Sequence, residues 1–187
     1  MSDLDRHKQG YRSAYGRYQE TRKYGTGMII LFWIILMGLM VIIFGDVLER
    51  QINPNRRPET SESFSESRVV LKKNRLGHFV VSGRINNRSV DYIVDTGATS
   101  VVVPWALAEK LSLELGVPIL AETANGVIRV YETRLETVQL GNISVPNVRA
   151  NINPHMQGDK VLLGMSFLNH LELALKEGEL TLVQQSQ

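Results

Sequence analysis

The sequence of 187 residues contains no cysteine. Disulfide scaffolds, thiolate zinc sites and cysteine nucleophiles are thereby excluded. A charge excess of either sign is also missing: 21 Lys and Arg stand against 19 Asp and Glu, a formal net charge of +2. That balance makes no case for nucleic-acid binding. No internal repeat, glycine-rich phosphate loop or G-x-S-x-G setting for a serine nucleophile occurs. His78, His155 and His170 lack paired metal-ligand spacing and read as surface or strand residues, while His7 lies in the N-terminal tail. Neither metal nor cofactor is expected. With 43% hydrophobic and 21% charged residues, the composition excludes a disordered, collagen-like or multi-span membrane chain.

Charge is absent altogether from residues 28–45. Met28 to Phe44 reads MIILFWIILMGLMVIIF, and with Gly25-Thr26-Gly27 and Gly45 the stretch reaches 21 residues. At a helical rise this is about 31 Å, matched to a hydrocarbon core of about 30 Å. A buried core helix would carry a polar stripe, and none is present. A cleaved signal peptide would have a shorter apolar region and a small-x-small site, which Phe44-Gly45-Asp46-Val47 does not supply. Residues 28–45 therefore read as a transmembrane signal anchor in the lipid bilayer. Residues 1–27 form a basic tail of net charge +3, with Lys8, Arg12, Arg17, Arg22 and Lys23 close to the span. Within 20 residues on the other side stand only Arg50, Arg56 and Arg57. This bias places the tail in the cytoplasm and the rest of the chain outside. Residues 46–67, with two prolines, four serines and few large apolar side chains, read as a flexible linker.

From Arg68 onward short β-branched runs broken by Gly, Asn and Pro predict an all-β domain over 68–187. Strands are expected at Val69–Lys72, His78–Ile85, Ser89–Val94, Val101–Val103, Val127–Tyr131 and Thr137–Leu140. Others are expected at Ile143–Val145, Val148–Ile152, Val161–Leu163, Leu173–Leu175 and Leu180–Val183. Asn86-Asn87, Gly141-Asn142 and Glu177-Gly178 suit tight turns. One helix follows Pro104, with Leu107 and Leu111 on one face, and a shorter one covers Ser166–Leu171. Trp105 at the start of the first reads as a core anchor.

One segment carries chemistry. The apolar run Tyr92-Ile93-Val94 ends abruptly in Asp95-Thr96-Gly97-Ala98, and Val101-Val102-Val103 follows at once. Taken alone, Asp-Thr-Gly is an ordinary β-turn. Sixty-eight residues after Asp95 come Leu163 and Gly164, an apolar strand ending in a residue without a side chain, able to pass closely behind a loop. Between them, Glu122-Thr123-Ala124-Asn125-Gly126-Val127 is a glycine-tipped turn beside an alternating strand, suited to a mobile hairpin.

This order of motifs resembles the retropepsin-like aspartic proteases, and most closely their membrane-anchored bacterial branch. The likeness covers Arg68 to about Val183 and rests on Gly77-His78-Phe79, Val90–Ser100, Thr123–Gly126 and Leu162–Leu168. The resemblance implies an all-β half-barrel and an aspartic endopeptidase in which two facing carboxylates share one proton and activate a water molecule. It implies Asp95 as the catalytic residue, with Thr96, Gly97 and Ala98 supporting its loop. Thr123, Ala124, Asn125 and Gly126 would form a flap, and Leu163 and Gly164 a strand backing the loop. Thr99 and Ser100 differ from the acidic residues that viral members often carry there. The chain holds one Asp-Thr-Gly and the domain is too small for two halves, so the resemblance implies a homodimer with one Asp95 from each copy. Implied with it are protein or peptide substrates and a location at the bacterial inner membrane, the domain facing the periplasm. The competing reading is a non-catalytic module on the same fold that binds extended peptides by strand addition.

Overall fold

The computed structural model describes residues 3–123 and 126–185. The chain divides into two compact units between Leu48 and Glu49. The first is helical. Helix α1 spans Asp3–Ile52, so the helix extends well beyond the apolar run at both ends. Its Gly25–Ile52 portion, with a mean hydropathy of 2.9, is long and apolar enough to cross a membrane, and none of it is buried. Apolar side chains from Met28 to Phe44 are exposed all round the helix, because a run without a polar face has no preferred side to present.

The described residues of the second unit form eleven strands: β1 (Glu59–Glu62), β2 (Glu66–Lys72), β3 (Val80–Ile85), β4 (Arg88–Val94), β5 (Val101–Pro104), β6 (Pro118–Thr123), β7 (Gly126–Leu140), β8 (Ile143–Asn153), β9 (Lys160–Leu163), β10 (Glu172–Lys176) and β11 (Glu179–Gln185). Two short helices, α2 (Trp105–Leu111) and α3 (Met165–Leu168), complete it. The larger sheet runs β3-β4-β9-β5-β8-β7-β6, and β3 also pairs with β7, so the sheet closes on itself. The smaller is antiparallel, in the order β1-β2-β11-β10. The all-β expectation is met.

The core fills the closed sheet. Tyr92 is its largest fully buried side chain, with its ring against Gly83, where a Cβ would lie 2.5 Å from the ring. Its hydroxyl donates to the Arg84 carbonyl at 2.7 Å, and burial pushes the phenol pKa up. Tight turns stand where expected. Asn86 and Asn87 (φ 47° and 66°) and Glu177 and Gly178 (φ 53° and 84°) adopt the left-handed conformations that two-residue hairpins need.

Several boundaries differ from the sequence reading. Val127–Tyr131 and Thr137–Leu140 are parts of the one strand β7, since Leu135 between them is buried and keeps the register going. Ile143–Val145 and Val148–Ile152 likewise merge into β8, with Asn147 at φ 56° marking the irregularity. Strands β1 and β6 were not expected, because β1 is wholly exposed and β6 nearly so, which leaves little apolar alternation to read. Pro104 closes β5 and caps α2 from outside, and the second helix is α3, starting and ending earlier than expected.

The flexible linker over 46–67 and the domain start at Arg68 are corrected. Folded structure of the second unit begins at Glu49. Asn53 and Asn55 are 5% and 4% exposed. The Asn55 amide donates to the carbonyls of Lys72 at 2.9 Å and Val80 at 2.7 Å, and its oxygen accepts the Lys72 N–H at 2.7 Å. Asn53 donates to Ser82 Oγ at 2.9 Å and Asp91 Oδ1 at 3.1 Å. Residues poor in apolar surface are thus ordered by buried polar bonds. Replacing Asn55→Ala leaves three backbone groups without partners. At about 1–3 kcal/mol for each orphaned group, the loss is expected to be a large part of the domain's stability. Denaturant unfolding measures it, and limited proteolysis between residues 53 and 66 is expected to accelerate.

Candidate active site

Strands β4 and β5 are consecutive in the chain but not neighbours in the sheet. Between them lies β9, parallel to β4 (Val94 opposite Leu163) and antiparallel to β5 (Val102 opposite Leu162). The Asp95–Ser100 loop must therefore cross the end of β9 to reach β5. This places Asp95 at the tip of one strand, directly beside the strand that ends in Leu163 and Gly164.

The crossing is closely held. The Asp95 N–H donates to the Leu163 carbonyl at 3.1 Å. Met165 and Ser166 N–H donate to the carbonyls of Ala98 at 2.8 Å and Thr99 at 3.1 Å. Ser166 Oγ accepts the Val101 N–H at 2.9 Å and donates to the Arg149 carbonyl at 2.7 Å. Asn151 donates to Ser100 Oγ at 2.8 Å. Ser100 and Thr99 thus find their partners in Asn151 and Ser166, without acidic side chains at these positions.

Gly164 lies so close under the loop that a Cβ there would sit 2.2 Å from the Ser100 oxygen and 2.6 Å from that of Ala98. Both are backbone atoms, so no side chain can rotate away to make room. Leu163 is fully buried and anchors the same strand in the core.

Asp95 itself is half-buried, and its Oδ1 accepts the Gly97 N–H at 2.9 Å. The Ala98 N–H donates to the Asp95 carbonyl at 3.3 Å, which closes the turn. Thr96 and Gly97 are exposed at its outer edge. The carboxylate opens on a cleft of about 940 Å³ floored by Asp95 and Gly97–Ser100 and walled by strands β6 and β7. Val102, Ile119, Leu120, Ile128, Val130 and Leu162 give the cleft its apolar lining, and Asp95 is its only aspartate among the described residues. At the hairpin tip Thr123 Oγ1 donates to the Gly126 carbonyl at 2.8 Å, with Gly126 at φ 107°. Ala124 and Asn125 lie outside the described residues.

The structure thus brings Asp95, Thr96, Gly97, Ala98, Leu163 and Gly164 into one crossing, and sets Thr123, at the end of β6, on the wall of the same cleft. Sequence reasoning missed Ser166 and Asn151 as loop supports, since their partners lie 65 and 51 residues away and nothing local marks the pairing. The histidines His78, His155 and His170 are exposed, and no three His, Asp or Glu among the described residues gather as a metal site. Trp105 is half-buried against the core, edge-to-face with Tyr131 at 5.7 Å. A Gly164→Ala substitution is expected to destabilise the domain by about 1–3 kcal/mol or more, read in a denaturant titration. Leu163→Val, which keeps the crossing open, should cost less.

Residues 81–170 match the family model described as "gag-polyprotein putative aspartyl protease". An uncharacterized protein from a Sinorhizobium species is 29% identical over 181 residues, covering 89% of this chain and 78% of that one. An uncharacterized protein of Rickettsia prowazekii is 26% identical over 121 residues, 62% of this chain and 50% of its own length. Among solved structures, a retropepsin-like aspartic protease from Rickettsia conorii superimposes with a TM-score of 0.54 at 22% identity, over 70% of this chain and 97% of that one. Family match and fold agree: residues 81–170 resemble an aspartyl protease family, and the folded domain has the retropepsin-like fold.

Proposed function

We propose that the protein is a membrane-tethered aspartic endopeptidase, active as a homodimer in which each copy supplies one Asp95. The observation that carries this reading is the position of Asp95, on a loop bonded from β8, β9 and α3, at the floor of a cleft of about 940 Å³ with an apolar lining. Two such carboxylates facing each other across a two-fold axis would share one proton, because like charges so close cannot both ionise cheaply. The unprotonated oxygen takes a proton from the bound water as its oxygen attacks the peptide carbonyl. The protonated carboxyl hydrogen-bonds the developing oxyanion, and a proton then passes to the leaving nitrogen. Exposed Thr96 is suited to bond across the axis, and the β6–β7 hairpin to close over substrate. An apolar lining favours substrates with apolar side chains around the cut. The apolar helix anchors the chain at a bacterial inner membrane. Its basic N-terminal flank puts the domain on the periplasmic side.

A second copy has an edge to meet. Strand β10 ends the smaller sheet, and all five of its residues, Glu172-Leu173-Ala174-Leu175-Lys176, are exposed. Leu175 is 63% exposed although it is a large apolar residue in a strand. Paired antiparallel with its own copy about Ala174, the strand sets Glu172 opposite Lys176 and Leu173 opposite Leu175, twice over. A two-fold interface requires this kind of self-complementarity. Among the described residues the two charged groups have only exposed partners, Gln185 at 3.3 Å and Glu177 at 3.9 Å.

Incubating the full chain in vesicles with denatured protein between pH 4 and 7 tests the activity. Asp95→Asn is expected to lower cleavage by about 10²- to 10⁴-fold, and undiminished cleavage would sink both the chemistry and the role of Asp95. For the interface, Lys176→Glu should raise the dimer dissociation constant several-fold in sedimentation, and adding Glu172→Lys should restore it. If the double variant remained as weak as the single one, the β10 register would be wrong.

A further inference from the structure

The loop joining β2 to β3 is built to hold an apolar side chain in the open. Asn74 organises it. Its side-chain oxygen accepts the N–H of Leu76 at 3.0 Å and of His78 at 2.9 Å. Its backbone N–H donates to the His78 carbonyl at 2.8 Å, and its carbonyl accepts the Gly77 N–H at 3.0 Å. Gly77 takes φ 82°, the left-handed conformation that the turn requires. At the tip Leu76 is 78% exposed, flanked by exposed Lys73, Arg75 and His78. A fixed turn that presents leucine to solvent spends order without burying the side chain it orders.

The position of this loop in the chain explains it. The Asn74 amide donates to the carbonyl of Ile52, the last residue of α1, at 3.1 Å. Ile52 follows Gly45, the end of the apolar run, by seven residues, which span at most about 25 Å even when fully extended. In any arrangement of the two units, the loop is thus tied by Ile52 within that reach of the end of the span. Nearby residues are mostly basic: Arg50, Arg56, Arg57, Lys72, Lys73 and Arg75 accompany Asp46, Glu49 and Glu59. Glu49 pairs with Arg56 at 2.6 Å and Glu59 with Lys72 at 2.7 Å, while Arg50, Arg57 and Arg75 have no ionic partner among the described residues. Lys73, itself an exposed residue, has its Nζ 5.5 Å from the centre of the Phe79 ring.

We propose that the β2–β3 loop is a membrane-docking element: Leu76 enters the headgroup region of the bilayer that the chain's own helix spans, and Lys73 and Arg75, with Arg50 and Arg57, bind anionic lipid. The inference rests on the reading of α1 as a membrane anchor. Each basic residue near an anionic surface strengthens the contact, and an apolar tip adds to it. A weak contact suffices because the anchor has already met the cost of bringing the surfaces together. The domain is then held at the membrane in one orientation.

The absence of cysteine makes the test direct. Leu76→Cys, and separately Ala106→Cys on exposed α2, are labelled in the full chain with an environment-sensitive dye. Each is reconstituted into phosphatidylcholine vesicles with or without phosphatidylglycerol and with doxyl-labelled lipid. The dye at 76 is expected to shift to the blue and be quenched in anionic vesicles, the dye at 106 to do neither. Adding Lys73→Glu and Arg75→Glu should abolish the effect at 76 without changing the melting temperature. A chain that floats with the vesicles while position 76 stays as unquenched as 106 overturns the docking alone. Quenching equally strong in neutral vesicles, or surviving the charge reversal, overturns the recognition of anionic lipid. Failure to float at all overturns the anchor and the docking together.

Discussion

The end of β9 must slide beneath the Asp95–Ser100 loop at a separation that admits no β-carbon. Most of the site follows from that constraint. Because β9 separates β4 from β5, the chain has to bridge it, and the bridge is the loop that carries the carboxylate. Because the approach is close, the carbonyls of Ala98 and Thr99 are within reach of the N–H groups that open α3. Polar groups that would otherwise be stranded at a chain crossing are paired with one another, and the loop gains rigidity from the same bonds. Ser166 shows the economy of the arrangement: one hydroxyl both accepts from β5 and donates to β8.

A second principle governs the junction between helix and domain. Asn53 and Asn55 replace apolar burial with buried hydrogen bonds. Such bonds are directional, so they fix the path of the chain as well as its attachment. They insert the segment after α1 beside β3, where Asn55 bridges to Val81. The same Asn55 amide that donates to the Lys72 carbonyl at the end of β2 also donates to the Val80 carbonyl at the start of β3, so the β2–β3 loop is clamped at both feet.

The sequence made some of this legible and hid the rest for physical reasons. An apolar strand running into Asp95-Thr96-Gly97 and another ending in Leu163-Gly164 are local patterns, and burial forces them to be written in apolar letters. The unbroken apolar run before residue 45 is equally plain. Asn53 and Asn55 were hidden because polar residues usually mark exposed chain, and their partners are 17 to 38 residues away. Strands β1 and β6 escaped because exposed strands are specified by pairing with a neighbour, and pairing leaves little trace in composition. Strand β7 was read as two because Glu132, Thr133 and Arg134 interrupt the apolar rhythm, though backbone pairing with β8 continues through them.

A single Asp-Thr-Gly per chain has a kinetic meaning. On the homodimer reading, an isolated copy has no complete site, and the amount of active enzyme grows with the square of the number of copies while dimers are scarce. Confinement to a bilayer sets that number per unit area of membrane. A twofold rise in copies on a given surface would yield about four times the hydrolysis, and dilution by growing membrane would silence the enzyme without any inhibitor. The protein would respond to crowding at a surface, with an unpaired strand edge as its sensor.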